Sequence, residues 1–152
     1  MAIGTNSPPF QIWVRLVRSY RRISDAVEAA LKAEGLPPLE WYDVLLELER
    51  HRTPLRARDL EQRLLLAQYN LSRLLDRLES RGLIEREPDP DDGRSRLIRA
   101  SEAGLAMRRQ MWPIYRRTIE SMIGQSLPAA EAEQLVNLLA PIAAAVEPEK
   151  ET

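Results

Sequence analysis

Apolar positions in this chain fall into helical runs separated by proline and glycine. Phe10, Trp13, Val17, Tyr20, Val27 and Leu31 recur at three- and four-residue steps, with Val14, Ile23 and Ala30 filling in. That period predicts one long amphipathic helix over residues 10–34, stopped by Gly35, Pro37 and Pro38. A second helix follows in LEWYDVLLELERH, residues 39–51. Trp41, Val44, Leu45 and Leu48 make one of its faces while Leu39 and Leu46 lie nearly opposite, so both sides should be buried and the helix central.

Residues 53–88 read as two short helices and a strand. Pro54 and Leu55 lead into a helix from about Arg56 to Leu64, and a tight connection through Leu65, Leu66 and Ala67 precedes another. The core stripe of that next helix is Leu71, Leu74, Leu75 and Leu78, and Gly82 marks its end. This is helix-turn-helix spacing. Leu83–Glu87 and Arg96–Ala100 then flank DPDDGRSR as two short strands, a β-hairpin placed as a wing, with Asp92-Gly93 expected to supply the positive φ of a tight turn. From Ser101 the helical period returns through Leu105, Trp112, Tyr115, Ile119, Met122 and Ile123, with a kink expected at Pro113. LPAAEAEQLVNLLAPIAAAV closes the pattern. It is too short to span a membrane and too apolar to stay wet.

Charge sharpens this outline. Net charge is −1 at pH 7, yet residues 50–99 hold twelve arginines against nine carboxylates. Arginine suits bidentate contacts to phosphate and guanine, although a GC-rich genome accounts for an arginine excess equally well. On a helical wheel the leucines of the second short helix cluster, and Tyr69, Arg73, Asp76, Arg77 and Ser80 point outward. Gln68, Tyr69, Asn70 and Arg73 stand at its N-terminal end, where a recognition helix meets base edges, with Arg77 one turn further. The alternative is a solvated face on which Arg73 and Arg77 pair with Asp76.

Composition narrows the remaining classes. With no cysteine and one histidine, His51, thiol and zinc chemistry have no ligands, and a lone histidine after a helix reads as a surface or capping residue. No nucleophile–base pair or glycine-rich phosphate loop stands out, so neither catalysis nor a cofactor is expected. MAIGTNSPPF lacks the basic start and apolar run of a signal peptide, and a cytoplasmic location with no membrane partner is expected.

From LEWYDVLLEL through PLRARDL, SRLLDRLESRGLI and above all DPDDGRSRLIRASEAG, the chain resembles MarR-type winged helix-turn-helix regulators. The resemblance covers nearly all of it. The family's wing pattern is filled by Asp92, Arg94, Leu97, Ser101 and Gly104, with Ala100-Ser101 standing where Leu-Thr is usual. It implies that Arg94 enters the minor groove of double-stranded DNA with Asp92 orienting its guanidinium, and Arg96 lies beside them on the same wing. A narrow minor groove concentrates negative potential that an arginine on a thin hairpin can reach. Asp89 and Asp91 receive no role beyond turn chemistry.

The resulting expectation is a mainly α protein with a small β-hairpin wing, one MarR-like domain over residues 1–152. Residues 39–100 form the winged helix-turn-helix, and 10–34 with 101–146 form dimerisation helices. The function expected is a repressor that binds a pseudo-palindromic operator as a homodimer. The alternative is a winged-helix module for protein contact. By the same resemblance a small aromatic or phenolic effector would sit between the dimer helices and the reading head, near Trp13, Tyr20, Trp41 and Tyr42.

Overall fold

A computed structural model describes residues 6–66 and 70–144 of the chain. Helix α1 runs Pro8–Ala33 and α2 Leu39–Arg50, followed by a two-residue strand β1, Leu55–Arg56, and the short helix α3, Ala57–Glu61. Helix α4 spans Leu71–Ser80, strands β2 and β3 span Ile84–Asp89 and Asp92–Ala100, and helices α5 and α6 span Glu102–Gly124 and Ala129–Ala144. The three strands form an antiparallel sheet in the order β1-β3-β2. No helix among the described residues is long and apolar enough to cross a membrane.

Helix α2 is sandwiched, as its two apolar faces predict. Trp41, Val44, Leu45 and Leu48 pack with Leu60, the α4 leucines, Ile84 and Ile98 in one core. Leu39 and Tyr42, with Leu46 at the edge, pack against Val27 and Leu31 of α1 and Met111 of α5 in a second. Each buried leucine contributes about 1.5–3 kcal/mol, so α2 is held from both sides. Pro38 brings no capping side chain, and Glu28 of α1 supplies it: its Oε1 accepts the first amide of α2, that of Leu39, at 2.9 Å.

Gly35 and Gly82 both take φ +69°. Each closes its helix by the same pair of bonds, with Leu36 N–H reaching back to Leu31 O and Leu83 N–H to Leu78 O, both at 2.9 Å. Serine 101 caps α5 as expected: its Oγ accepts Gly104 N–H at 3.1 Å and donates to Gly82 O at 2.5 Å. Helix α5 continues through Pro113 and, at 1.5 Å per residue, extends about 35 Å.

Three expectations are corrected. Leu55 starts a strand instead of leading into a helix, because Leu55 and Arg56 pair with Ile98 and Leu97 of β3, a long-range contact that a two-residue segment does not announce. Helix α3 is correspondingly short, ending at Glu61 and not Leu64. The hairpin turn is also displaced. Strands β2 and β3 extend to Asp89 and Asp92, the turn is Pro90-Asp91, and Gly93 lies within β3 with no positive φ. Proline presets the turn φ and Asp89 Oδ1 accepts Asp91 N–H at 2.9 Å, so the positive φ is unnecessary.

Candidate nucleic-acid interface

Helix α4 buries Leu71, Leu74, Leu75 and Leu78 and exposes Ser72, Arg73, Asp76, Arg77 and Ser80. Asn70 occupies its N-cap position but makes no side-chain cap, leaving its amide exposed at the helix start. Gln68 and Tyr69 lie outside the described residues. The pairing of Arg73 and Arg77 with Asp76 does not occur: among the described residues neither arginine joins an ion pair. Asp76 instead accepts from Arg86 of β2 at 2.6 Å. Arg86 Nε also donates to Glu79 at 2.9 Å, and this contact holds the Glu79 carboxyl below its ordinary range. Arg86 therefore neutralises both acids of α4 while leaving both outward arginines free.

The wing is built around a second arginine–carboxylate contact. Arg56 of β1 donates from Nε to Asp89 Oδ2 at 2.5 Å, tying the hairpin tip to the third strand. Asp89 is buried. The bond from Arg56, and then that from Asp91 N–H, outweigh the opposing effect of burial and lower its carboxyl pKa. The expected brace of Asp92 on the Arg94 guanidinium does not form: no Asp92–Arg94 side-chain ion pair occurs among the described residues, and Asp92 Oδ1 instead accepts the backbone N–H of Arg94 at 3.0 Å, because a side chain this short reaches the amide two residues on before the end of a long arginine. Arg99, the third arginine of the quoted stretch, is taken up by Glu85 across the hairpin at 2.8 Å. Arg94 and Arg96 remain exposed.

One open groove of about 510 Å³ is lined by Asn70, Leu71 and Ser72 of the α4 start, by Arg94 and Arg96 of the wing, and by Arg58 of α3. The fold thus brings the helix-start and wing candidates onto one basic surface. Sequence reading missed Arg58, Arg86 and the Arg56–Asp89 contact, since the last two depend on pairing between separate elements and Arg58 reaches the groove only through the packing of α3.

The effector candidates separate. Trp41 belongs to the first core and Trp13, in the second turn of α1, is 62% exposed, and neither borders the two clefts that follow. Tyr42 borders a cleft of about 930 Å³ with Asp43, Arg50, Arg63, Arg108, Trp112 and Tyr115. Tyr20 borders a smaller, mostly apolar one of about 260 Å³ with Val27, Leu66, Tyr115 and Ile119. Tyr42 stacks on Trp112 with centroids 6.1 Å apart and meets Tyr115 edge-on at 5.0 Å. Burial pushes both tyrosine hydroxyls up in pKa, and Arg108 beside Tyr42 pulls that one partly back. Trp112 and Tyr115 were legible only as an α5 stripe, not as cleft walls.

The model of the MarR family matches residues 34–95, from the α1–α2 joint into β3. An uncharacterized HTH-type transcriptional regulator of Bacillus subtilis, YkoM, is 30% identical over 122 residues, covering 80% of this chain and 77% of its own. The chain belongs to the MarR family. It is a DNA-binding winged helix-turn-helix transcriptional regulator, as the resemblance implied. Its fold is shared with the MarR-family regulator Sco3205 of Streptomyces coelicolor, solved in complex with DNA, at TM-score 0.75 and 20% identity over 91% of this chain and 88% of that one. The organohalide-sensing regulator RdhR-CbdbA1625 in its 2,4-dichlorophenol-bound form aligns at TM-score 0.78 and 23% identity, over 95% and 85% of the two chains.

Proposed function

We propose that this MarR-family regulator is a repressor that binds a pseudo-palindromic operator as a homodimer and leaves it when a small aromatic or phenolic ligand binds. The observation that carries the DNA-reading assignment is the charge arrangement on α4, where Arg86 occupies Asp76 and Glu79 while Arg73 and Arg77 stay exposed. Arg73 and Asn70 serve the major groove, Arg77 the backbone beside it, and Arg94 with Arg96 the adjacent minor groove. Gln68 and Tyr69 precede Asn70 in sequence and belong to the same proposed contact.

Dimerisation is supported by apolar surface. Phe10, Ile12 and Trp13 of α1 and Leu135, Val136, Leu138 and Ile142 of α6 are all exposed, and α6 buries no residue at all in the single chain. A two-fold pair of α4 helices would then enter successive major grooves, with half-sites about 10 bp apart. The stacked Tyr42, Trp112 and Tyr115 offer a planar ligand a face to lie on, and 2,4-dichlorophenol in the structural relative is of that class. While bound, the protein blocks whatever else uses that DNA, and ligand-driven release lifts the block.

Selection of bound duplexes from a random-sequence pool tests the reading. A two-fold symmetric consensus is expected, with affinity falling steeply as salt rises. Arg73→Ala should cost about 1–3 kcal/mol on the selected duplex and relax one position per half-site. An asymmetric consensus removes the dimeric operator. Unaltered binding by Arg73→Ala removes α4 from the interface.

A further inference from the structure

We infer that Asp43 is a positioning residue for DNA reading: from α2, its carboxylate fixes the turn that delivers α4. The inference rests on the reading that α4 meets DNA. Asp43 is one of two buried charged residues among those described, the other being Asp89. Its Oδ1 accepts Leu65 N–H at 3.2 Å and its Oδ2 accepts Leu66 N–H at 2.8 Å, across 22 and 23 residues of chain. Among the described residues these two amides have no backbone partner.

Leu64 and Leu66 pack against the two cores, but Leu65 between them has, among the described residues, only the Asp43 bond to its amide. Its side chain is 76% exposed, so apolar burial does not anchor it, and α3 has already ended at Glu61. Helix α4 begins only five residues beyond Leu66, at Leu71. The anchor itself is rigid, because Val44 and Leu45 beside Asp43 are fully buried and α2 is gripped by both cores. A carboxylate in that position is costly: burial raises its pKa, and the bonds from Leu66 and Leu65 pull it back. A side chain that served packing alone would incur no such cost. Two acceptors facing two successive amides set both the position and the direction of the turn, as a single bond does not.

Asp43→Asn tests this, since it preserves size but turns an NH2 group toward one of the two amides. The probes are a duplex selected by the wild-type chain from a random pool and a scrambled duplex of equal length. Asp43→Asn is expected to keep its circular dichroism and to bind the selected duplex about tenfold more weakly, with scrambled-duplex affinity kept within about twofold. Its Leu65 and Leu66 amides should exchange hydrogen about tenfold faster than wild type, while α2 amides do not change. Glu47→Gln, one turn along α2 and facing the same cleft, should alter none of these. Equal losses on both duplexes overturn the proposal, as do unchanged Leu65 and Leu66 exchange or fast exchange with full selected-duplex affinity.

A second measurement does not depend on the variant folding. In the wild-type chain, the Leu65 and Leu66 amides should exchange more slowly on the selected than on the scrambled duplex, and equal rates overturn the role. A wild-type chain that selects no duplex overturns the DNA reading and this role with it, whereas the outcomes above overturn the role alone.

Discussion

Gly104 sits where the first turn of α5 presses on the end of the helix-turn-helix. A Cβ there would stand 2.0 Å from Leu83 O and 3.0 Å from Leu45 Cδ2, and a backbone oxygen cannot step aside as a flexible side chain can. Gly104→Ala should therefore destabilise the fold by about 1–3 kcal/mol, read as a lower urea midpoint at constant slope. At the wing tip the same scale decides how Asp92 acts. Because it holds Arg94 by the backbone amide, its loss loosens the hairpin position from which the guanidinium reaches out. Arg94→Ala is expected to weaken operator binding by about 1–3 kcal/mol, and Asp92→Ala by less. The double variant should match Arg94→Ala, since a placed backbone without its guanidinium contributes no contact. Titrations at fixed salt that gave additive losses would make Asp92 an independent contributor.

Between elements, Arg86 joins the wing to the recognition helix. Its pairs with Asp76 and Glu79 are partly solvated, so Arg86→Ala should cost only about 1 kcal/mol of stability. Binding should suffer more, by about tenfold, because two carboxylates are then uncompensated on the face proposed to meet phosphate. Affinity measured on folded protein checks the contrast, and a binding loss no larger than the stability loss would refute it.

The arginine–carboxylate contacts also set an acid limit. Asp89 and Glu79 have depressed carboxyl pKa values, held down by Arg56 and Arg86, so their contribution is present above the unfolded values of about 3.9 and 4.3. It is lost as pH falls through the lower folded values. Asp43, raised by burial, works with the opposite sign: its contribution is present below the unfolded value and lost as pH rises through the folded one. Urea denaturation should show wild type above Asp89→Asn at about pH 7, with the difference shrinking as pH falls below the ordinary carboxylate range.

At the scale of the molecule, the two cores and the end helices are separable. Helix α6 packs on α5 and buries none of its own residues, while both cores are complete without it. Deleting residues 127–152 should thus leave the winged helix folded by circular dichroism but, if α6 forms the proposed dimer interface, give monomer or aggregate in sedimentation. A truncated chain that sediments as a dimer and binds the selected duplex unchanged would remove α6 from the interface.

Periodicity alone determined the helices, the central burial of α2 and the leucine stripe of α4, because each is a local repeat that any packing of this chain must bury. The helix-turn-helix and wing motifs carried the resemblance to the family, and Ser101 could be named in advance as the cap of α5. Strand β1 and the partners of Arg56, Arg86 and Asp43 were not legible, since each joins separate segments and a single side chain does not reveal which of several opposite charges or amides it will meet; the Pro90-Asp91 turn was misplaced because Asp-Gly and Pro-Asp are both turn pairs and strand register decided between them. The effector candidates divided for the same reason. Trp41 and Tyr42 are neighbours in sequence, and only the placement of α2 between two cores sends one ring into packing and the other to a cleft wall.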